Sequence, residues 1–160
     1  ARVRVVVSPG GRECAGRTAL PPAAFEDFKV SVSFSGEGPF GADAARSAES
    51  ALRAALAAQG ILVEITGGDY LVAGTAAVSA QSDPRVAPFV GARVEMSVRI
   101  VRVRDGRVAR EMRHEAAALG ADAASAARDA ASEGARAVFR ETLVALDEAS
   151  WMGPGGTRLH

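Results

Sequence analysis

Alternating apolar and polar residues predict the strands of this chain. Phe28, Val30, Val32 and Phe34 alternate with one lysine and three serines, the pattern of a strand with one buried and one solvated face. Residues 2–7 are mostly valine and stop at a Pro-Gly-Gly sequence, which predicts an earlier strand. The first third of the chain is therefore expected to contribute two strands.

Shorter runs predict two more strands, at residues 61–65 and 70–78, connected by the turn-forming residues 66–69. Residues 79–90 contain two prolines among Ser, Gln and Asp, and they predict a loop between sheet elements.

Helical spacing of apolar residues predicts two helices, at residues 42–59 and 122–147. Gly60 follows the first helix at the position where glycine commonly ends one, and Asp122 suits the positive end of the second helix dipole. Alanine dominates the apolar stripe of the second helix, so we expect it to pack closely. The stripe consists of Ala127, Ala131, Ala135, Val138, Phe139, Leu143 and Leu146.

The apolar pattern changes phase within one long predicted strand. Val94, Met96, Val98 and Ile100 share a face, whereas Val101 and Val103 continue on the other. A β-bulge near Ile100 and Val101 would keep all of them on the buried side. We expect Asp105-Gly106 to form a two-residue hairpin turn. The resulting pairs are Arg104 with Arg107, Val103 with Val108, Val98 with Met112, Met96 with His114, and Val94 with Ala116.

Together these elements predict one α+β domain over residues 1–150 and a Gly-rich tail or linker over residues 151–160. We expect a mixed, mostly antiparallel sheet of five or six strands, with two helices packed on one face. The hairpin Val94–Ala116 carries the bulge.

Composition restricts the function. The chain has 160 residues, 48% hydrophobic and 24% charged, with 19 basic and 19 acidic residues and a net charge of +0. These values are typical of a globular domain; they argue against a membrane span and against a nucleic-acid-binding surface. Two histidines and one cysteine, without metal-ligand spacing, give no basis for a metal, a cofactor or catalysis. We therefore expect a protein that is not an enzyme.

One loop leaves an alternative open. Gly11, Gly16, Arg17 and Thr18 have the spacing of a phosphate-binding loop, with Arg in place of the usual Lys. Two prolines follow where a helix should begin, which favours an ordinary loop. The alternative function is binding of a small anion or nucleotide at Gly10–Thr18. Cys14 lies in the same loop, and we interpret it as a structural thiol because no histidine is near it in sequence.

Arginines concentrate on the predicted hairpin of this otherwise neutral chain. They indicate either a solvated strand face or a docking surface for an acidic partner. The candidate partner-binding residues are Arg99, Arg102, Arg104, Arg107 and Arg110.

The order of elements resembles a group of bacterial envelope proteins: the curli secretion channel lipoprotein, the lipoprotein activators of penicillin-binding proteins, and the middle domain of the flagellar T-ring protein. The resemblance covers residues 26–148 and lies mainly in residues 29–34, 56–63, 68–74 and 94–106, followed by Gly120 and the Ala-rich helix. It implies a periplasmic α/β domain without catalysis that docks onto larger envelope machinery. The chain departs from the group in its extra strand at residues 2–7, and no lipid-bearing cysteine is visible at its start.

The sequence therefore predicts a non-catalytic protein–protein interaction or assembly domain of a bacterial cell-envelope complex in the periplasm. Its expected partner is another envelope protein, with self-association as a second form of the same function. The identity of that partner and the oligomeric state do not follow from the residues.

Overall fold

The structure is a computed structural model that describes residues 29–150. Its elements follow the chain as β1 (Lys29–Glu37), α1 (Gly41–Ala58), β2 (Leu62–Glu64), β3 (Tyr70–Gln81), β4 (Val90–Arg102), β5 (Arg107–Gly120) and α2 (Ala123–Ser150), with a 3-10 turn at Pro84–Val86. The predicted strand at residues 2–7 and the predicted tail at residues 151–160 lie outside the described residues.

The five described strands form one mixed sheet in the order β2-β1-β3-β4-β5. β1 pairs in parallel with β2 and β3, whereas β3 with β4 and β4 with β5 are antiparallel. The antiparallel ladders are the longer ones, and both helices pack on one face, so the predicted α+β class is confirmed. β2 and β3 do not pair with each other, because β1 lies between them.

Strand alternation places one set of side chains under the helices. On β4, Val94, Met96, Val98 and Ile100 are at most 1% exposed, whereas the residues between them are exposed. Both helices cover this layer with small residues. The buried ones are Gly41, Ala44, Ala45, Ala48, Leu52 and Leu56 on α1, and Ala126, Ala127, Ala130, Ala131, Gly134, Ala135, Val138, Thr142, Ala145 and Leu146 on α2.

Glycine at two positions lets the helices pack closely on the sheet. Gly36 of β1 lies directly against the backbone of Gly41 in the first turn of α1, with no room for a Cβ atom. Gly134 of α2 lies over the terminal methyl of Met96. Two predicted helix ends are confirmed: Gly60, after α1, has φ 91°, and the Asp122 carboxylate before α2 accepts a 2.8 Å hydrogen bond from the Ser125 N–H. α2 ends at Ser150, three residues later than predicted.

The predicted hairpin is correct along most of its length and wrong at its turn. Val98 pairs with Met112, Met96 with His114 and Val94 with Ala116, and a bulge occurs between Ile100 and Val101. The pairs nearest the turn, however, are Arg102 with Arg107 and Val101 with Val108, so the extra residue is Ala109 on β5. Because β4 itself stays regular, the expectation that Val101 and Val103 share the buried side is wrong: Val101 is half-buried on the other face and Val103 is 45% exposed.

The observed turn contains four residues, 103–106, whereas the sequence predicted a turn of two. Val103 does not pair with Val108, because its N–H donates a 3.0 Å hydrogen bond to the carbonyl oxygen of Asp69 beside β3. The Gly106 N–H closes the turn onto the carbonyl of Arg102 at 2.8 Å. The predicted loop at 79–90 is also shorter, since β3 continues to Gln81 opposite Gly91.

Candidate interaction surface

The face of the sheet opposite the helices is open over its four long strands, and we call it the open face. Ser33, Ser35, Thr75 and Ser97 are exposed there because they alternate with residues that face the helices. The sequence pattern predicted that the serines of β1 are solvated, which is correct for Ser33 and Ser35. It is wrong for Ser31, which is 4% exposed and donates a 2.9 Å hydrogen bond to the Gly67 carbonyl. The pattern did not identify β3 and β4 as extending the same polar surface.

Small side chains make the centre of the open face a shallow trough of about 500 Å³. Longer side chains of β4 and β5 form one wall. The open-face side chains lining it are Ser33, Ser35, Ala73, Thr75 and Ser97 on the floor, with Arg99, Glu111 and Arg113 as the wall.

Charges on the wall alternate in sign. Arg99 lies opposite Glu111 in the β4–β5 register, and Arg113 lies opposite Ser97. Further along, Arg93 Nη1 is 3.7 Å from Glu115 Oε2. The wall can therefore bind acidic and basic groups together, and it is not a purely basic surface.

The five candidate arginines do not form one patch. Arg99 is exposed on the open face, and Arg104 and Arg107 are exposed at the hairpin turn. Arg102 is held by Asp105, with Nη2 2.7 Å from Oδ2. Arg110 points to the helix side, with Nε 3.2 Å from Glu141 Oε2 and Nη1 3.6 Å from Glu148 Oε1; both acids belong to α2.

The turn itself is organised around Asp105. Its carboxylate accepts hydrogen bonds from the Arg102 guanidinium and, at 3.1 Å, from the Arg107 N–H. The Arg102 bond and then the Arg107 bond lower the pKa of Asp105 from its ordinary 3.8 to about 2. The carboxylate is therefore committed to the turn, and Arg104 and Arg107 are the exposed cations beside it.

His114 is on the helix side beside Met96, as the predicted register requires. Its Nε2 is 2.7 Å from Glu141 Oε1, in an orientation that does not form a hydrogen bond. It faces away from the open-face hydroxyls and cannot serve them as a base.

Within residues 29–150, no group of three or more His, Cys, Asp or Glu side chains could hold a metal ion. In the same part of the chain, no helix is both long and apolar enough to cross a membrane. The alternative anion site at Gly11, Gly16, Arg17 and Thr18, together with Cys14, lies outside the described residues.

No protein-family model matches the chain, and no curated protein matches it. Solved structures do. The chain is similar to protein XCC0632 from Xanthomonas campestris, of family DUF330, at 16% identity over 84% of this chain and 92% of that chain, with a TM-score of 0.62. It is also similar to a minor lipoprotein from Acinetobacter baumannii at 14% identity over 75% and 94%, with a TM-score of 0.52.

At this identity the likeness establishes the fold. The chain has the α+β fold of these two bacterial proteins, one of which is a lipoprotein, and this agrees with the broader part of the sequence resemblance. The curli, penicillin-binding-protein activator and flagellar families remain a resemblance.

Proposed function

We propose that this chain is a non-catalytic protein–protein interaction domain of a bacterial cell-envelope assembly, acting in the periplasm. The lipoprotein-like fold supports an envelope location, as does the resemblance to envelope proteins in the order of elements. The partner is another envelope protein that contacts the open face.

The observation that carries this proposal is the open face itself. Its centre is made of hydroxyl and methyl side chains, which let another backbone approach closely, and its wall offers guanidinium and carboxylate groups for hydrogen bonds. Small-molecule sites usually enclose most of their ligand. A shallow trough spread across several strands suits a protein surface better.

The arginine hypothesis applies to the exposed members of the set. Arg99 is placed to contact a partner carboxylate in the trough, and Arg104 and Arg107 extend the cationic surface at the hairpin turn. Arg102 and Arg110 already have acidic partners within the chain, so their contribution is to hold the turn and the α2 contact.

The absence of catalysis is part of the proposal and rests on the chemistry of the trough. A serine or threonine nucleophile needs a base within hydrogen-bond reach. His114, the one described histidine, is on the other side of the sheet. The trough hydroxyls are thus suited to binding.

Site-specific photocrosslinking in cells tests the proposal. A photoreactive amino acid replaces Ser97 in the trough, and a matched variant replaces Ser50, an exposed serine of α1 on the opposite side of the molecule. We expect Ser97 to give a discrete crosslinked product in the envelope fraction that Ser50 does not give, and Arg99→Glu to reduce it. Equal labelling from both positions, or no product from Ser97, would refute the proposal.

A further inference from the structure

The two edges of the sheet are closed differently. On one side of the sheet, β1 pairs with β2 over only three residues. Where β1 continues past β2, side chains of α1 bind the backbone groups of β1 that have no strand partner. Glu49 Oε2 accepts a 2.9 Å hydrogen bond from the Phe34 N–H, and Arg53 Nη2 donates one of 2.9 Å to the Val32 carbonyl. These two side chains are 3.3 Å apart and occupy the place of a strand. The part of β1 that extends past β2 is therefore blocked to a further strand, and β2 itself offers only three residues.

The edge formed by β5 has no such cover in the described part of the chain. It is 14 residues long, it is the last strand of the sheet, and it pairs only with β4. Proteins commonly protect such edges with proline, short length or a bulge. β5 contains no proline, and its single bulge at Ala109 leaves the rest of the strand regular.

Exposed apolar side chains flank this edge. Val108 and Leu119 of β5 are 43% and 53% exposed. Val144 of α2 is 48% exposed, and it lies between Glu141 and Glu148, which contact β5. By helical spacing Val144 is on the same side of α2 as these acids, next to the edge. A strand added there would have apolar surface to cover.

The charges of β5 are self-complementary. Glu111, Arg113 and Glu115 alternate on the open face. In an antiparallel pair of identical strands related by a twofold axis at His114, Arg113 of each copy faces Glu115 of the other. An axis at Arg113 would place like charges opposite each other. An axis at Met112 would pair Glu111 with Arg113. It would also place Arg110 opposite His114 and leave Leu119 with no residue opposite it.

We propose that β5 is a homotypic interface: it pairs antiparallel with β5 of a second copy about a twofold at His114, joining two five-stranded sheets into one. Met112 then faces Ala116 of the second copy, and the two Val144 side chains come onto the same side of the dimer. This interface uses the free backbone edge of β5 and shares only the charged side chains of β5 with the wall of the open-face trough. It does not depend on the proposed function.

Reversing and then exchanging the charges of Arg113 and Glu115 tests both the identity of the partner, a second copy of the chain, and the register in which the two β5 strands pair. Sedimentation equilibrium of the full chain over a range of concentrations gives the dimer dissociation constant. We expect a dimer whose dissociation constant rises about tenfold or more in Arg113→Glu, because two attractive cross-strand pairs become repulsive. The double variant R113E/E115R should restore it. Arg136→Glu reverses an exposed charge on α2, away from β5, and is the control; it should leave the dissociation constant unchanged.

Circular dichroism checks that each variant is folded. A wild-type chain that stays monomeric would overturn the proposal, and so would an unchanged dissociation constant in R113E. A monomer is the result expected if residues 2–7 of the same chain occupy the edge. Restoration by E111R/R113E in place of R113E/E115R would also overturn it, because it requires the axis at Met112.

Discussion

Replacing Gly36 by alanine should strongly destabilise the fold, whereas the same change at Gly134 should have little effect. A Cβ atom at Gly36 would overlap the carbonyl group of Gly41 and lie 2.7 Å from the backbone nitrogen of Ala42. These are backbone atoms of α1, so relief requires the start of the helix to move away from the sheet. At Gly134 the overlapped atom is the terminal methyl of Met96, which can rotate away.

The two magnitudes follow from these contacts. Overpacking costs about 1–3 kcal/mol, and a fixed backbone puts Gly36→Ala at the upper end, about 3 kcal/mol. For Gly134→Ala, a gain of about 1 kcal/mol in helix propensity offsets a repacking cost of similar size, so the net change should be below about 1 kcal/mol.

Urea unfolding followed by circular dichroism measures both variants. With a urea dependence of about 2 kcal/mol per molar, the midpoint of Gly36→Ala should fall by about 1.5 M and that of Gly134→Ala should change by less than about 0.5 M. Wild-type stability in Gly36→Ala would refute the close seating of α1 on β1. Equal large losses in both variants would refute the distinction between backbone and flexible side-chain contacts.

Two further changes test the helix interface and the hairpin turn. Thr142 is fully buried, and its Oγ1 has no hydrogen-bond partner in the described part of the chain, so Thr142→Val should leave stability unchanged or raise it by up to about 1 kcal/mol in the same urea assay; a loss above about 1 kcal/mol would contradict this account. The folded-state pKa of Asp105, about 2, is below its ordinary 3.8, so its stabilisation is present above pH 3.8 and is lost as the pH falls towards 2. Asp105→Asn should therefore be less stable than wild type at neutral pH and converge with it near pH 2, as measured by thermal unfolding across that range; a constant difference would contradict the assignment.

Local pattern was sufficient to predict much of the fold. The phase change after Ile100 placed the bulge at the correct pair of residues, although the extra residue is on β5 and not on β4. The helical stripe of α2 follows from apolar spacing alone. The pattern could not determine which strand carries the extra residue, because Val103 and Val108 are both apolar. That choice depends on the carbonyl of Asp69, which is distant in sequence.

Strand order also depends on contacts that local pattern does not encode. β2 has three residues, and its parallel pairing with β1 needs α1 to cross between them. The different positions of the candidate arginines could be predicted in part from the sequence. The register that turns Met112 and His114 towards the helices also turns Arg110 there. Its ion pair with Glu141, 31 residues away, required the three-dimensional structure.

The trough was harder to predict than the arginines. Each of Ser33, Thr75 and Ser97 is ordinary on a solvated strand, and only the register β1-β3-β4 brings them onto one floor. A surface of small residues becomes recognisable when neighbouring strands are aligned.

Cysteine accessibility in intact cells tests the central claim most directly. In a Cys14→Ser background, Ser97→Cys and Ser50→Cys are treated with a membrane-impermeant thiol reagent, in cells and as purified protein. We predict that Ser50→Cys reacts equally in both settings, as expected in the periplasm, and that Ser97→Cys reacts in the purified protein but is protected in cells by the bound partner. Equal reaction of Ser97→Cys in cells and in purified protein, or no reaction of Ser50→Cys in cells, would contradict the account.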